Sequence, residues 1–142
     1  ANGRPRPCPH LESPRAVKLN IRHLWLFAGV AIIVLLWYLS LMHSPPNIDV
    51  PDGDKYGHLL AYGGTMWWWA QLWRTWRKRL RLAAALTLMG VVIEFVQGAT
   101  GWRTFDAMDM LANGAGLLMG WVFVAKPLGG ALHILDRRYG SR

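Results

Sequence analysis

Long apolar runs alternate along this chain with short, strongly basic pieces, and the runs have the length of bilayer-spanning helices. Residues 23–42 (HLWLFAGVAIIVLLWYLSLM) pass without a formal charge. At 1.5 Å per residue such a run covers about 30 Å, the thickness of the hydrocarbon core. It is longer than a usual signal-peptide core, and no small-x-small cleavage site follows it, so it reads as an uncleaved signal-anchor helix. Residues 43–54 form a turn, with Ser44-Pro45-Pro46-Asn47 followed by Pro51-Asp52-Gly53-Asp54. Asp54 is positioned to N-cap a second helix over about 55–73. Residues 74–81 (RTWRKRLR) read as a basic loop and about 82–97 as a third helix. Residues 98–104 connect it to a fourth, which starts at Phe105 or Asp106 and ends near Ala125, before Lys126-Pro127. The pattern predicts an all-α membrane protein, an antiparallel bundle of four transmembrane helices over 23–125. A basic Pro/Arg-rich segment (1–22) precedes it and a basic tail (126–142) follows.

Charge gives the bundle an orientation. The segment before the first span holds Arg4, Arg6, Arg15, Lys18 and Arg22; the loop between spans two and three holds Arg74, Arg77, Lys78, Arg79 and Arg81. The C-terminal piece adds Lys126, Arg137, Arg138 and Arg142, leaving only Lys55 and Arg103 for the opposite side. The positive-inside rule therefore predicts both termini in the cytoplasm. Asp49, Asp52, Asp54, Glu94, Asp106 and Asp109 fall at or near the outer side. The net charge of +8 does not suggest a nucleic-acid binder. Its cations stand at the ends of apolar runs, where they meet anionic headgroups, rather than within a globular pattern. Cys8 is the one cysteine, which leaves neither an intrachain disulfide nor a cysteine metal cluster. Of the nine tryptophans, Trp73 and Trp76 fit the inner interface and Trp102 the outer one. Trp67-Trp68-Trp69 covers most of a helix circumference, which suits lipid contact; a sterol or pigment surface is the alternative.

Ionisable residues inside spans are the informative ones, because apolar side chains would suffice for crossing. Asp54, His58 and Tyr62 are spaced four and four, on one face of the second helix, with Lys55 beside them. Glu94 falls about 18 Å into the third helix, with Gln97 one turn later. Asp106, Asp109 and Asn113 form a stripe on the fourth, continued by Gly116 and Gly120 as a small-xxx-small packing surface. A carboxylate at a span's centre costs about 2.5–3.5 kcal/mol, so the cheapest arrangement turns the stripes toward one another. The expectation is a polar pocket near the outer face, formed by Asp54, Lys55, His58, Tyr62, Glu94, Gln97, Arg103, Asp106, Asp109 and Asn113. Structural alternatives stand beside it. Asp54 and Asp106 serve as N-caps, Arg103 neutralises an acid, His58 is a satisfied histidine and Asn113 interhelical glue. A lone histidine is little evidence for His58 as an axial haem or chlorophyll ligand. The residues specify no cofactor and no metal.

The segment Asp54-Lys55-Tyr56-Gly57-His58-Leu59-Leu60-Ala61-Tyr62 resembles the D-K-x-x-H-x-x-x-Y signature of VanZ-like membrane proteins. Residues 94–120 (EFVQGATGWRTFDAMDMLANGAGLLMG) resemble that family's second signature: E-x-x-Q, a short loop with an Arg, then D-x-x-D-x-x-x-N-x-x-G-x-x-x-G. The resemblance covers roughly 23–125. It implies the four-span fold and the pocket, a bacterial cytoplasmic membrane and a link to glycopeptide resistance, but no reaction. Two functions follow as expectations. One is a non-catalytic accessory or scaffold subunit of a larger membrane complex, packing its helices against partner subunits and lipid. The other is a pocket that binds or processes a cell-envelope lipid or lipid-linked headgroup. There Lys55, His58 and Arg103 would meet phosphate, and Glu94 and Asp109 would handle protons or a divalent ion.

Overall fold

The computed structural model describes residues 21–44, 51–73, 75–125 and 130–139. Among these residues every regular element is a helix: α1 (Ile21–Leu41), α2 (Gly53–Ala70), α3 (Trp76–Ala99), α4 (Ala107–Ala125) and α5 (Ala131–Tyr139). With 21, 24 and 19 residues, α1, α3 and α4 are each long and apolar enough to cross a membrane, which makes this a multi-pass membrane chain. Most of the basic N-terminal segment, residues 45–50 of the turn, Arg74, Lys126-Pro127 and the last three residues lie outside the described residues.

Side-chain bridges fix the helix directions. Trp25 Nε1 donates to the Trp68 carbonyl and Trp68 Nε1 to the Trp25 carbonyl, both at 3.1 Å, tying the start of α1 to the end of α2. Gln97 Nε2 donates to the Ser40 carbonyl at 2.7 Å, joining the ends of α1 and α3. Lys55 reaches Asp106 and His58 reaches Asp109, so α2 and α4 begin together. Successive long helices therefore reverse direction, and α2 runs parallel to α4. One end of the bundle gathers the acids; the other gathers Arg22 and the cluster Arg77, Lys78, Arg79 and Arg81.

Of the four long helices, the one not apolar enough to read as a span by itself sits at the centre. α2 packs against α1, α3 and α4 and buries Tyr62, Gly63, Thr65, Met66 and Ala70. A helix packed against three others needs less lipid-facing apolar surface, which frees positions on its packed face for glycine and polar residues. Its backbone touches that of α4. A β-carbon on Gly116 would strike the Leu59 carbonyl oxygen, and one on Gly120 the Gly63 carbonyl oxygen. Glycine at those positions is what allows the contact.

Four local readings need correction. α2 starts at Gly53, so Asp52 is the residue at its N-cap and Asp54 lies in the first turn. Asp52 has a positive φ of 57° and makes no side-chain cap bond; its carbonyl accepts from the Lys55 and Tyr56 N–H groups. α2 also ends at Ala70 rather than near residue 73. The basic stretch is not a loop throughout, because α3 begins at Trp76 and takes in Arg77 to Arg81. Lys and Arg are good helix formers, and their long stems carry charge from a helix end into the headgroups. Counting from Trp76, Glu94 lies about 27 Å along α3 rather than about 18 Å, close to its acidic end. The fourth correction is α5, a short amphipathic helix held at the basic end by the Leu132 N–H donating to Gln71 Oε1 at 2.9 Å.

The tryptophan triplet is packed rather than simply turned to lipid. Trp68 stacks on Trp25 with centroids 3.8 Å apart, Trp69 lies against Trp73, and all three rings of the triplet are half-buried. Gly29 lets α1 approach the Trp68 and Trp69 rings.

Candidate polar site at the acidic end

The parallel start of α2 and α4 brings two stripes face to face, and the end of α3 closes them from the side. At the mouth stands Lys55, its Nζ 3.0 Å from Asp106 Oδ2, 3.4 Å from Asp54 Oδ2 and 3.7 Å from Asp109 Oδ1. One oxygen from each of these carboxylates lies within 4.8 Å of the others, a donor set suited to a hard cation. The Lys55 ammonium stands within ion-pair distance of all three.

One turn deeper, His58 Nε2 lies 3.2 Å from Asp109 Oδ2, and His58 Nδ1 lies 3.1 Å from Asn113 Oδ1. A ring with an oxygen opposite each nitrogen donates through both only when it carries two protons. Turning the Asn113 amide gives the arrangement for one proton. The pair is thus built to hold a histidine in either state without moving the ring. Asp109 and Asn113 are each 4% exposed, so the oxygens facing the histidine are largely closed to water.

Glu94 lies beneath the mouth, 1% exposed. Its Oε1 accepts from the Asp106 backbone N–H at 2.6 Å, while Asp106 Oδ1 accepts from the Met108 N–H at 2.8 Å. Together they form an N-cap for α4 whose reciprocal carboxylate comes from another helix. The Met108 N–H, and then the Lys55 ammonium, hold the Asp106 carboxyl below the usual carboxylate range. The second Glu94 oxygen, Oε2, is buried without a hydrogen-bond partner among the described residues, and so are Tyr62 Oη and Asp109 Oδ1. Tyr62 Oη and Asn113 Nδ2 converge on the face of Gly90, each about 3 Å from where its β-carbon would stand. Native proteins leave few buried polar atoms unpaired, and such atoms mark places where a water, ion or ligand group is received.

The geometry thus brings together Asp54, Lys55, His58, Asp106, Asp109 and Asn113, with Glu94 joined through the Asp106 backbone and Tyr62 set against Asn113. Two expected members go elsewhere. Gln97 is buried but turns to α1 through Ser40, because α1 ends beside α3. Arg103, half-exposed in the α3–α4 connection, makes no ion pair or hydrogen bond with any residue of the cluster. Ser40 and Gly90 are the positions that spacing overlooked. Their contributions, a carbonyl and the lack of a side chain, leave no signature in a polar pattern. Comparison of the chain with protein families, with curated proteins and with solved structures finds no match in any of the three.

Proposed function

We propose that this chain is a VanZ-like protein with four spans, N-in and C-in, in a bacterial cytoplasmic membrane, and that its acidic-end site receives the polar headgroup of an envelope lipid or lipid-linked intermediate. Support for a fourth span comes from α2 running parallel to α4 and in contact from Lys55–Asp106 to Met66–Gly120. A helix paired over that length crosses whatever its partner crosses. The observation that carries the site is the buried Glu94 and Asp109 pair. One oxygen of each is without a hydrogen bond among the described residues, beside a histidine held at both nitrogens. Structural glue would be satisfied by neutral side chains at lower cost. In this reading the Lys55 ammonium meets a phosphate at the mouth by exchanging its carboxylate partners. The inner acceptors take hydroxyl or ammonium donors of the headgroup, and His58 moves a proton.

The experiment compares wild type, Glu94→Gln and His58→Gln, each purified as the full chain from a bacterial host, by mass spectrometry of the retained lipid-linked cell-wall intermediates. The wild type should retain them and both variants should lose them, at equal helical content and yield. Equal retention by Glu94→Gln, or none by the wild type, refutes the headgroup site. The second reading, a non-catalytic accessory subunit of a membrane complex, rests on α1. Its Phe27, Val30, Val34 and Tyr38 form one exposed stripe that a partner helix can cover. Under that reading Glu94→Gln is silent, and charges placed along the stripe release the partner.

A further inference from the structure

At the other end of the same helix pair lies an apolar groove of about 530 Å³, within the roughly 300–1,000 Å³ of small-ligand sites. Leu60, Gly64 and Trp67 of α2 line one wall, Met119 and Phe123 of α4 the other, and Ile134 of α5 stands at its basic end. It exists because Gly64 leaves the floor bare: a β-carbon there would meet nothing within 4 Å. We propose that this groove holds one acyl chain of an anionic phospholipid from the leaflet at the basic end.

An apolar lining and the charge at its end select that occupant. From Leu60 to Trp67 the groove follows α2 for about 10 Å, and its walls are apolar from Leu60 to Ile134. A polymethylene chain matches such a lining. The chain's headgroup would emerge at α5, on the same bundle end as the exposed cations Arg22, Arg77, Lys78 and Arg81. Cations at that depth attract anionic headgroups. The α5 backbone is fixed there through Gln71, so the mouth is a defined edge rather than a gap between loose segments.

The test uses the full chain, equilibrated in nanodiscs of equal parts phosphatidylglycerol and phosphatidylethanolamine, released into mild detergent and weighed by native mass spectrometry. The wild type should keep one phosphatidylglycerol. Gly64→Leu, whose β-carbon would meet nothing within 4 Å and whose side chain covers the floor, should lower that retention about tenfold, and Ile134→Glu should act the same way at the mouth. Gly114→Leu, also at an open position, should leave it unchanged. Replacing Arg77 and Arg81 by Gln should abolish the preference for phosphatidylglycerol while a lipid is still held. Glu94→Gln should change nothing, which separates this groove from the acidic-end site. Unchanged retention in both Gly64→Leu and Ile134→Glu, no anionic preference in the wild type, or a dimer that Gly64→Leu dissolves would each overturn the assignment.

Discussion

Replacing Gly116 by Ala and Gly64 by Ala makes the same chemical change on two helices that touch, and the structure gives the two changes opposite signs. In a helix interior the exchange gains about 0.5–1 kcal/mol, because alanine loses less backbone freedom on folding. At Gly64 the new methyl meets nothing within 4 Å, so that gain should appear nearly whole. At Gly116 the methyl runs into the Leu59 carbonyl oxygen and stands 3.0 Å from the Gly63 nitrogen. Both are backbone atoms and cannot rotate aside, so α2 and α4 must separate. Overpacking of that kind costs about 1–3 kcal/mol, which outweighs the propensity gain and, since both variants share that gain, leaves them about 1–3 kcal/mol apart. Unfolding by sodium dodecyl sulfate in mixed micelles, followed by tryptophan fluorescence, reads the difference. The stacked Trp25–Trp68 pair bridges α1 and α2 and supplies the signal. The reasoning fails if both variants shift the midpoint in the same direction, or if Gly116→Ala leaves it in place.

Two further expectations concern charge. Since the Asp106 carboxyl sits below the ordinary range in the folded chain, its contribution is fully present above the unfolded pKa of about 3.9 and is lost as pH falls through the lower folded value. Asp106→Ser, which keeps a capping oxygen, should flatten that acid limb of thermal stability, and an unchanged limb assigns it to another carboxylate. For orientation, Cys8 is first replaced by Ser. A cysteine at position 102, in the α3–α4 connection, should then react with an impermeant maleimide on intact cells, and one at position 78 only after permeabilisation. The reverse pattern would invert the bundle.

Most of the helix layout was readable because a span has to be long and apolar, and apolar runs are visible one residue at a time. The stripes were readable for a related reason. Spacings of three and four put Asp54 near His58 and Asp106 near Asp109 on their helices whatever the tertiary structure, and the cost of exposing acids to lipid turns such stripes inward. What sequence could not supply was competition among several possible partners. Gln97 shares a face with Glu94, yet its amide finds the free carbonyl of Ser40 at the end of α1, a group every helix C-terminus offers. Arg103 had a matching charge available, but Lys55 already stands between the carboxylates. The start of α3 was misplaced because five cations in eight residues (Arg74, Arg77, Lys78, Arg79 and Arg81) suggested a solvated loop. At a bilayer surface the same residues extend a helix. α5 is too short to register as a span, and only its apolar 131, 132, 134, 135 pattern followed by Arg137-Arg138 signals an amphipathic turn.

The two sites proposed here share one structural cause. A polar cluster at one end of α2 and a bare groove at the other both need α2 to be short of bulky apolar side chains, which a lipid-facing helix could not tolerate. The glycine contact with α4 removes that constraint. By seating α2 against Gly116 and Gly120, it turns one face of α2 to protein, so that Lys55, His58 and Tyr62 meet neighbouring side chains and Gly64 borders an open groove. The same contact lies between the sites, with Leu59 and Gly63 on its α2 side. His58 immediately precedes Leu59, and Gly64 immediately follows Gly63. Any separation of the two helices at Gly116 therefore displaces His58 from Asp109 and widens the groove at once. Gly116→Ala should weaken headgroup retention and lipid retention together, while Glu94→Gln and Gly64→Leu each affect one alone. Loss of only one property in Gly116→Ala would show that the ends respond independently and that the glycine contact is local packing.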